Sequence, residues 1–312
     1  MARVDARVRA ARTIAVDVET AAVVRGLNAA GVRCILLKGP ALASFLYDPA
    51  ELRPYVDVDL LVTPDDEQRA SDVLRELGFE QLVEDAQLGG HRRLHAHEWR
   101  RANGPSVDLH RTLPGAGADP AAVVAVLATR TRAITVAGQD VEALAPPGIA
   151  LQVALHAAHH GPLAPKALDD LERGVERVPL GTWREAAALA ERIDATPALA
   201  AGLRLKPAGA AVADRLSLPL GRPVDVALRA DGAPPLAVGL DWLLQTPGSR
   251  AKLALVARTA LPPPGALRLW RPLARRGSAG LAAAYLSHSF WLARHAVPSV
   301  LAVRRARRST RR

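Results

Sequence analysis

The sequence predicts an α/β (α+β) domain with a mixed sheet followed by an all-α C-terminal domain, and three observations carry that prediction. Up to residue 146, short apolar runs bounded by Gly, Pro or Asp alternate with amphipathic helical stretches. Pro146-Pro147 then breaks the pattern, and from Gly148 onward helical periodicity dominates. The composition is that of a folded chain: 312 residues, 49% hydrophobic and 23% charged, with mean hydropathy +0.06. A disordered chain and a polytopic membrane protein are both excluded.

The elements follow in order. Residues 7–30 place Val8, Ala11, Ile14, Val18, Ala22 and Leu27 at helical spacing, and Gly31 follows as a C-cap. Arg33–Leu37 reads as a short buried strand that ends where Lys38-Gly39-Pro40 forces a turn, and 41–46 as a helix. Val56–Val62 is a second strand, after which Pro64-Asp65-Asp66 opens a helix that runs to Leu77 and stops at Gly78. Phe79–Val83, Arg92–Arg100 and Ser106–His110 are further strands. A helix over Ala121–Ala128 precedes a hairpin, Arg132–Val136 and Val141–Ala145, around Gly138-Gln139. Beyond the diproline, helices are expected at 149–160, 165–177, 183–193, 196–214, 236–246, 248–260 and 280–303, with Pro-rich joints between the later ones. The expected domains are 1–146, 147–303 and a basic tail, 304–312.

Charge is distributed unevenly. The net charge is +10, yet Asp241 is the last acidic residue and fourteen Arg and Lys follow it, which leaves residues 1–241 at −4. An acidic body, in a chain with only three Phe and three Tyr, makes a continuous nucleic-acid groove an unfavoured expectation. The basic C-terminal part suits an acidic partner or an anionic surface. Its tail, with Arg304, Arg305, Arg307, Arg308, Arg311 and Arg312, is expected to be frayed by self-repulsion. Ala279–Val303 is long and apolar, but His288, Arg294, His295 and Pro298 interrupt it, so a packed or interfacial helix is expected rather than a spanning one. The single cysteine, Cys34, fits a reducing cytoplasm, and the first twenty residues mix Asp5, Asp17 and Glu19 with arginine, unlike a secretory signal.

The chemistry-bearing stretch is Lys38-Gly39-Pro40 followed by Arg53-Pro54-Tyr55-Val56-Asp57-Val58-Asp59-Leu60. In a strand, Asp57 and Asp59 project from one face and Val56, Val58 and Leu60 from the other. Adjacent carboxylates repel each other, and a divalent cation bound through oxygen offsets that repulsion. Val107-Asp108-Leu109-His110 supplies a third carboxylate if the two strands are neighbours. Three converging carboxylates suit two Mg²⁺ ions, one activating a hydroxyl and one holding a triphosphate. His110 shares the face of Asp108 and is a candidate for orienting substrate. His156, His159 and His160 have metal-compatible helical spacing, without a third-ligand motif. His91, His95 and His97 read as part of an exposed hairpin.

The pattern Lys38-Gly39, Arg53, Asp57-x-Asp59 and Asp108 resembles the nucleotidyltransferase fold of the DNA polymerase beta superfamily, in its uncharacterised bacterial branch, over roughly residues 30–175. By that resemblance Asp57, Asp59 and Asp108 are catalytic metal ligands and Asp108 is also the candidate base. Gly39 lies beneath the phosphates, Lys38 and Arg53 bind them, and His156 and Asp170 stand at the lip of the cleft. The resemblance implies a Mg²⁺-dependent transferase that binds an NTP, most often ATP, and moves NMP to a hydroxyl or phosphate of a small molecule or peptide. One departure is Pro40, which stands where superfamily members often have a phosphate-contacting serine. It favours the alternative: a non-catalytic nucleotide-binding or regulatory partner of a peptide-modifying or toxin system.

Overall fold

The computed structural model describes residues 2–48, 53–82, 95–102 and 104–310. Three helices and two strands come first: α1 (Ala2–Ala29), β1 (Cys34–Leu36), α2 (Pro40–Leu46), β2 (Asp57–Val62) and α3 (Glu67–Glu76) precede β3 (Glu80–Gln81). β4 (Ala96–Arg100), β5 (Ser106–His110), α4 (Pro120–Leu127) and the hairpin β6 (Thr131–Val136) and β7 (Gln139–Leu144) follow. The strands make one mixed sheet in the order β3-β4-β5-β2-β1-β7-β6. β2 and β5 are parallel, as are β1 and β7; the remaining pairs are antiparallel.

The central strands are covered on both faces, so they carry apolar runs in place of alternation. Val58, Leu60 and Leu61 of β2 are buried together with Leu36 of β1 and Val107 and Leu109 of β5. Val23, Val24 and Leu27 of α1 and Val73 and Leu74 of α3 share one core with Leu36, Val58, Leu60, Val107 and Leu109. β4 is an inner strand, and this corrects the expectation of an exposed hairpin: Trp99 is fully buried, and buried His97 pairs with Glu67 at 3.0 Å. His91 lies outside the described residues.

α5 (Pro146–His160) is buried on every side, through Ile149, Leu151, Val153 and Leu155 among others, and so forms the centre of the helical layer. α6 (Pro165–Arg177), α7 (Leu180–Arg192) and α8 (Thr196–Leu203) pack around it, and α9 (Pro207–Arg215) packs on α6 and α8. A single helix was expected over 196–214. Pro207 splits it, because proline has no N–H to continue the ladder but suits the first position of a new helix. Gly202 is where α8 crosses α5: a Cβ there would sit 2.0 Å from the carbonyl oxygen of Ala154.

Residues up to Leu220 form one compact unit, with the diproline opening α5 inside it, and residues from Gly221 onward form another. The second unit contains α10 (Val224–Ala230), α11 (Leu236–Gln245), α12 (Ser249–Ala260), α13 (Pro264–Trp270), a 3₁₀ turn at Pro272–Arg275 and α14 (Gly277–Ser309). The short helices α10 and α13 arise at prolines that read as loops in the sequence, since Pro223 and Pro263 occupy N-cap positions. The frayed-tail expectation is corrected. α14 continues to Ser309 because Val303 and Ala306 are buried against Ala227, Leu228 and Ala237, and Arg307 donates to buried Asp241 at 3.0 Å. Arg311 and Arg312 lie outside the described residues. Among the described residues, no helix is long and apolar enough to cross a membrane.

Candidate active site

The parallel register of β2 and β5 sets Asp59 directly beside Asp108 and Leu61 beside His110. The side chains of Asp59, Asp108 and His110 converge from these two strands, each offering a ligand atom within 4.8 Å of the others. Asp57 shares the strand face of Asp59 but is not one of this tight trio; it adds negative charge felt by both Lys38 and Asp108. The sequence could place the carboxylates on strands. That those strands are neighbours is a property of the sheet.

Lys38 enters from the turn after β1, where the Leu37 amide donates to the Asp59 carbonyl at 3.0 Å and so fixes the turn beside β2. The Lys38 ammonium reaches Asp59 Oδ1 at 2.5 Å, and His110 Nε2 lies 3.0 Å from the same oxygen. Burial alone would favour a protonated Asp59. The Lys38 charge and the His110 hydrogen bond outweigh it and hold the carboxyl well below its ordinary range. Burial likewise opposes the Lys38 ammonium, but Asp59 keeps it charged. An ionised carboxylate only accepts, so His110 donates from Nε2, and burial holds the imidazole neutral. His110 Nδ1 is then a buried atom without a hydrogen-bond partner among the described residues.

Asp108 has the opposite environment. Burial, reinforced by the charges of Asp59 and Asp57, pushes its carboxyl up to about 7. Its oxygens and those of Asp59 are hard donors, and the repulsion that raises Asp108 is what a divalent cation would relieve, so the residues fit an oxygen-ligated metal.

Gly39 adopts φ +60°, a left-handed conformation that glycine permits, and this turns the chain directly into α2. Pro40 at the start of α2 removes one amide donor. Arg53 feels the charge of Asp59 but spends its hydrogen bonds on Asp170. Buried Arg53 forks onto Asp170 through Nε at 2.7 Å and Nη2 at 2.6 Å, and Tyr47 donates to Asp170 at 2.8 Å. Asp170 is thus buried within a latch and is not a lip residue; Nη1 of Arg53 is buried without a hydrogen-bond partner among the described residues. Tyr55, two residues past Arg53, donates to Asp17 of α1 at 2.6 Å. The segment leading into β2 is therefore tied to α6 and to α1.

His156 is half-buried, and burial together with the nearby Lys38 charge holds its imidazole well below the ordinary range. It begins a chain of rings that spacing along α5 could not reveal. His156 meets His160 (centroids 4.4 Å apart), His160 meets His159 (5.1 Å), His159 meets His95 (4.9 Å), and His95 meets His110 (5.6 Å). Lys166, in the first turn of α6, is a further cation that motif reading missed; it interacts electrostatically with Arg53, Asp57, Asp170 and Asp59. A lysine in an amphipathic helix carries no signal of its own in sequence.

The family described as "Uncharacterised nucleotidyltransferase" matches residues 3–208, about two thirds of the chain. A search of curated proteins returns no match. The solution structure of the antibiotic-resistance factor ANT(2'')-Ia is 12% identical, with TM-score 0.41, covering 58% of this chain and 93% of that one. A crystal structure of ANT(2'')-Ia in complex with adenylyl-2''-tobramycin is 12% identical, with TM-score 0.38, covering 55% and 94%. An antigenic nucleotidyltransferase-like protein from Paracoccidioides brasiliensis is 17% identical, with TM-score 0.34, covering 59% and 91%.

Proposed function

The chain belongs to the uncharacterised nucleotidyltransferase family, and from that premise we propose that it moves an NMP from an NTP, most often ATP, to a hydroxyl or phosphate on a small molecule or peptide. The observation that carries this reading is the pairing of Asp59 with Asp108 across parallel strands, with Asp57 on the same face. These carboxylates are the residues that would hold Mg²⁺. When bound, the metal neutralises triphosphate charge and lowers the cost of the developing alkoxide.

The remaining chemistry belongs to the chain. Asp108, with a carboxyl poised near neutrality, accepts the proton of the acceptor hydroxyl. The acceptor oxygen forms its bond to the α-phosphorus as the bond to the β-phosphate bridging oxygen breaks, and pyrophosphate leaves. Lys38 keeps Asp59 ionised and offers a cation to the phosphates, while His110 orients Asp59. Gly39 lets the backbone approach closely, and His156 of α5 and Lys166 of α6 stand close enough to Asp59 to interact with its charge.

Incubation with Mg²⁺, each α-labelled NTP and a small-molecule extract should give a labelled product with pyrophosphate release. Asp59→Asn should abolish both. Equal labelling by the wild type and the variant would exclude the mechanism. A second reading, a nucleotide binder without turnover, is favoured by two observations: Arg53 is already committed to Asp170, and Pro40 supplies no hydroxyl. Calorimetric nucleotide binding that ignores Mg²⁺, with no pyrophosphate from any acceptor, would select it.

A further inference from the structure

α14 of the second unit is apolar on two opposite faces. Gly280, Ala284, His288, Val303 and Ala306 are buried, and around them α14 packs on α10, α11, α13 and the 3₁₀ turn. At about 100° per residue, Leu286, Phe290, Val297 and Leu301 fall within about 60° of one another on the other side of the helix. All four are exposed, at 74%, 70%, 66% and 54%. The stripe they form is about 22 Å long at 1.5 Å per residue.

The neighbouring helix α12 buries none of its residues and exposes Leu253. A continuous apolar stripe of this kind on a water-facing helix marks a surface that something covers.

The charge around the stripe identifies what covers it. Arg304 and Arg308 continue the same face at its C-terminal end, and no acidic residue occurs after Asp241. A second copy of this chain would bring two sets of fourteen cations together with no carboxylate from that stretch to offset them. A spanning helix is ruled out for the described residues. An apolar stripe rimmed by arginine is the pattern of a helix lying in the plane of a bilayer interface and held by anionic headgroups.

We propose that the second unit docks on an anionic lipid surface through the Leu286–Leu301 stripe of α14, with Arg304 and Arg308 on the headgroup phosphates. The inference is independent of the transfer chemistry.

Flotation of the full chain with vesicles tests it. Vesicles of phosphatidylcholine plus phosphatidylglycerol should carry the protein up, phosphatidylcholine alone should carry far less, and added salt should weaken the binding. A Leu286→Asp, Phe290→Asp variant should lose about tenfold or more in partition and keep the wild-type melting temperature, since both side chains are exposed. An Arg304→Gln, Arg308→Gln variant should lose binding to the anionic vesicles alone. No flotation with phosphatidylglycerol at low salt overturns the proposal, and so does flotation unchanged by the apolar substitutions. If sizing shows a wild-type dimer that the Leu286→Asp, Phe290→Asp variant breaks into monomers, the face is a protein interface and the lipid reading fails.

Discussion

Two aspartates one strand apart have opposite proton affinities, and the difference lies in their partners. Asp59 has an ammonium and an imidazole on one oxygen; Asp108 has burial and two like charges. The sign for Asp108 follows from linkage: its folded-state carboxyl is raised to about 7 from 3.8, so the folded state binds more protons between those values. The metal-free protein therefore loses stability as pH rises through that window. Asp108→Asn should raise the melting temperature of metal-free protein at pH 8, by roughly 2–4 °C per kcal/mol recovered, with the difference vanishing near pH 4. The same variant should abolish transfer. Mg²⁺ binding, followed by calorimetry in two buffers, should release a proton below pH 7 and tighten up to about tenfold per pH unit before levelling off. A pH-independent affinity would show that Asp108 does not ligate. Lys38→Met should weaken nucleotide binding and return Asp59 toward protonation, because burial then acts on it with His110 as its main remaining support.

At the scale of elements, the site depends on how β2 is approached. Arg53 and Asp170, with side chains 2% and 1% exposed, join the segment before β2 to α6. Asp170→Asn leaves a buried guanidinium uncompensated and should cost about 3–5 kcal/mol. Replacing both members with apolar residues of similar size should recover most of that loss in denaturant melts. Full additivity of the two single changes would mean that the pair does not act as a unit. The α5–α8 crossing makes a second demand on one residue: Gly202→Ala places a methyl against the Ala154 carbonyl, and separating the helices should cost about 1–3 kcal/mol. A wild-type melting temperature in that variant would contradict the close approach.

Across the whole molecule, the basic C-terminal stretch is a structural part of the second unit. Asp241 is fully buried and accepts from Arg307 and from Gln245. Deleting residues 304–312 removes Arg307 and the Ala306 contact, so the second unit should melt several degrees lower, on the basis of about 3–5 kcal/mol for a buried charge that loses its partner. An unchanged melting profile would restore the view of the segment as a detached tail. Salt should change stability little, because the Arg307–Asp241 pair is partly buried and screening acts on exposed charges.

Periodicity and turn residues made much of this chain legible as sequence. The strand runs, the hairpin at Gly138-Gln139 and the central helices of the first unit all follow from local patterns of burial, and the Asp57-x-Asp59 face follows from the two-residue repeat of a strand. What no local pattern contains is adjacency. β5 lies beside β2 although α3, β3 and β4 come between them in the chain, and only that pairing brings Asp108 beside Asp59. The same limit hid the latch. Arg53 and Asp170 are 117 residues apart, and a buried ion pair looks in sequence like two surface charges. The C-terminal helix reversed the sequence reading because the arginine run predicts repulsion, whereas one buried carboxylate on α11 and two small apolar residues on the inner face hold it in place. Local structure follows from the chemistry of neighbours in the chain; charge state, adjacency and the end of the last helix were decided by neighbours in space.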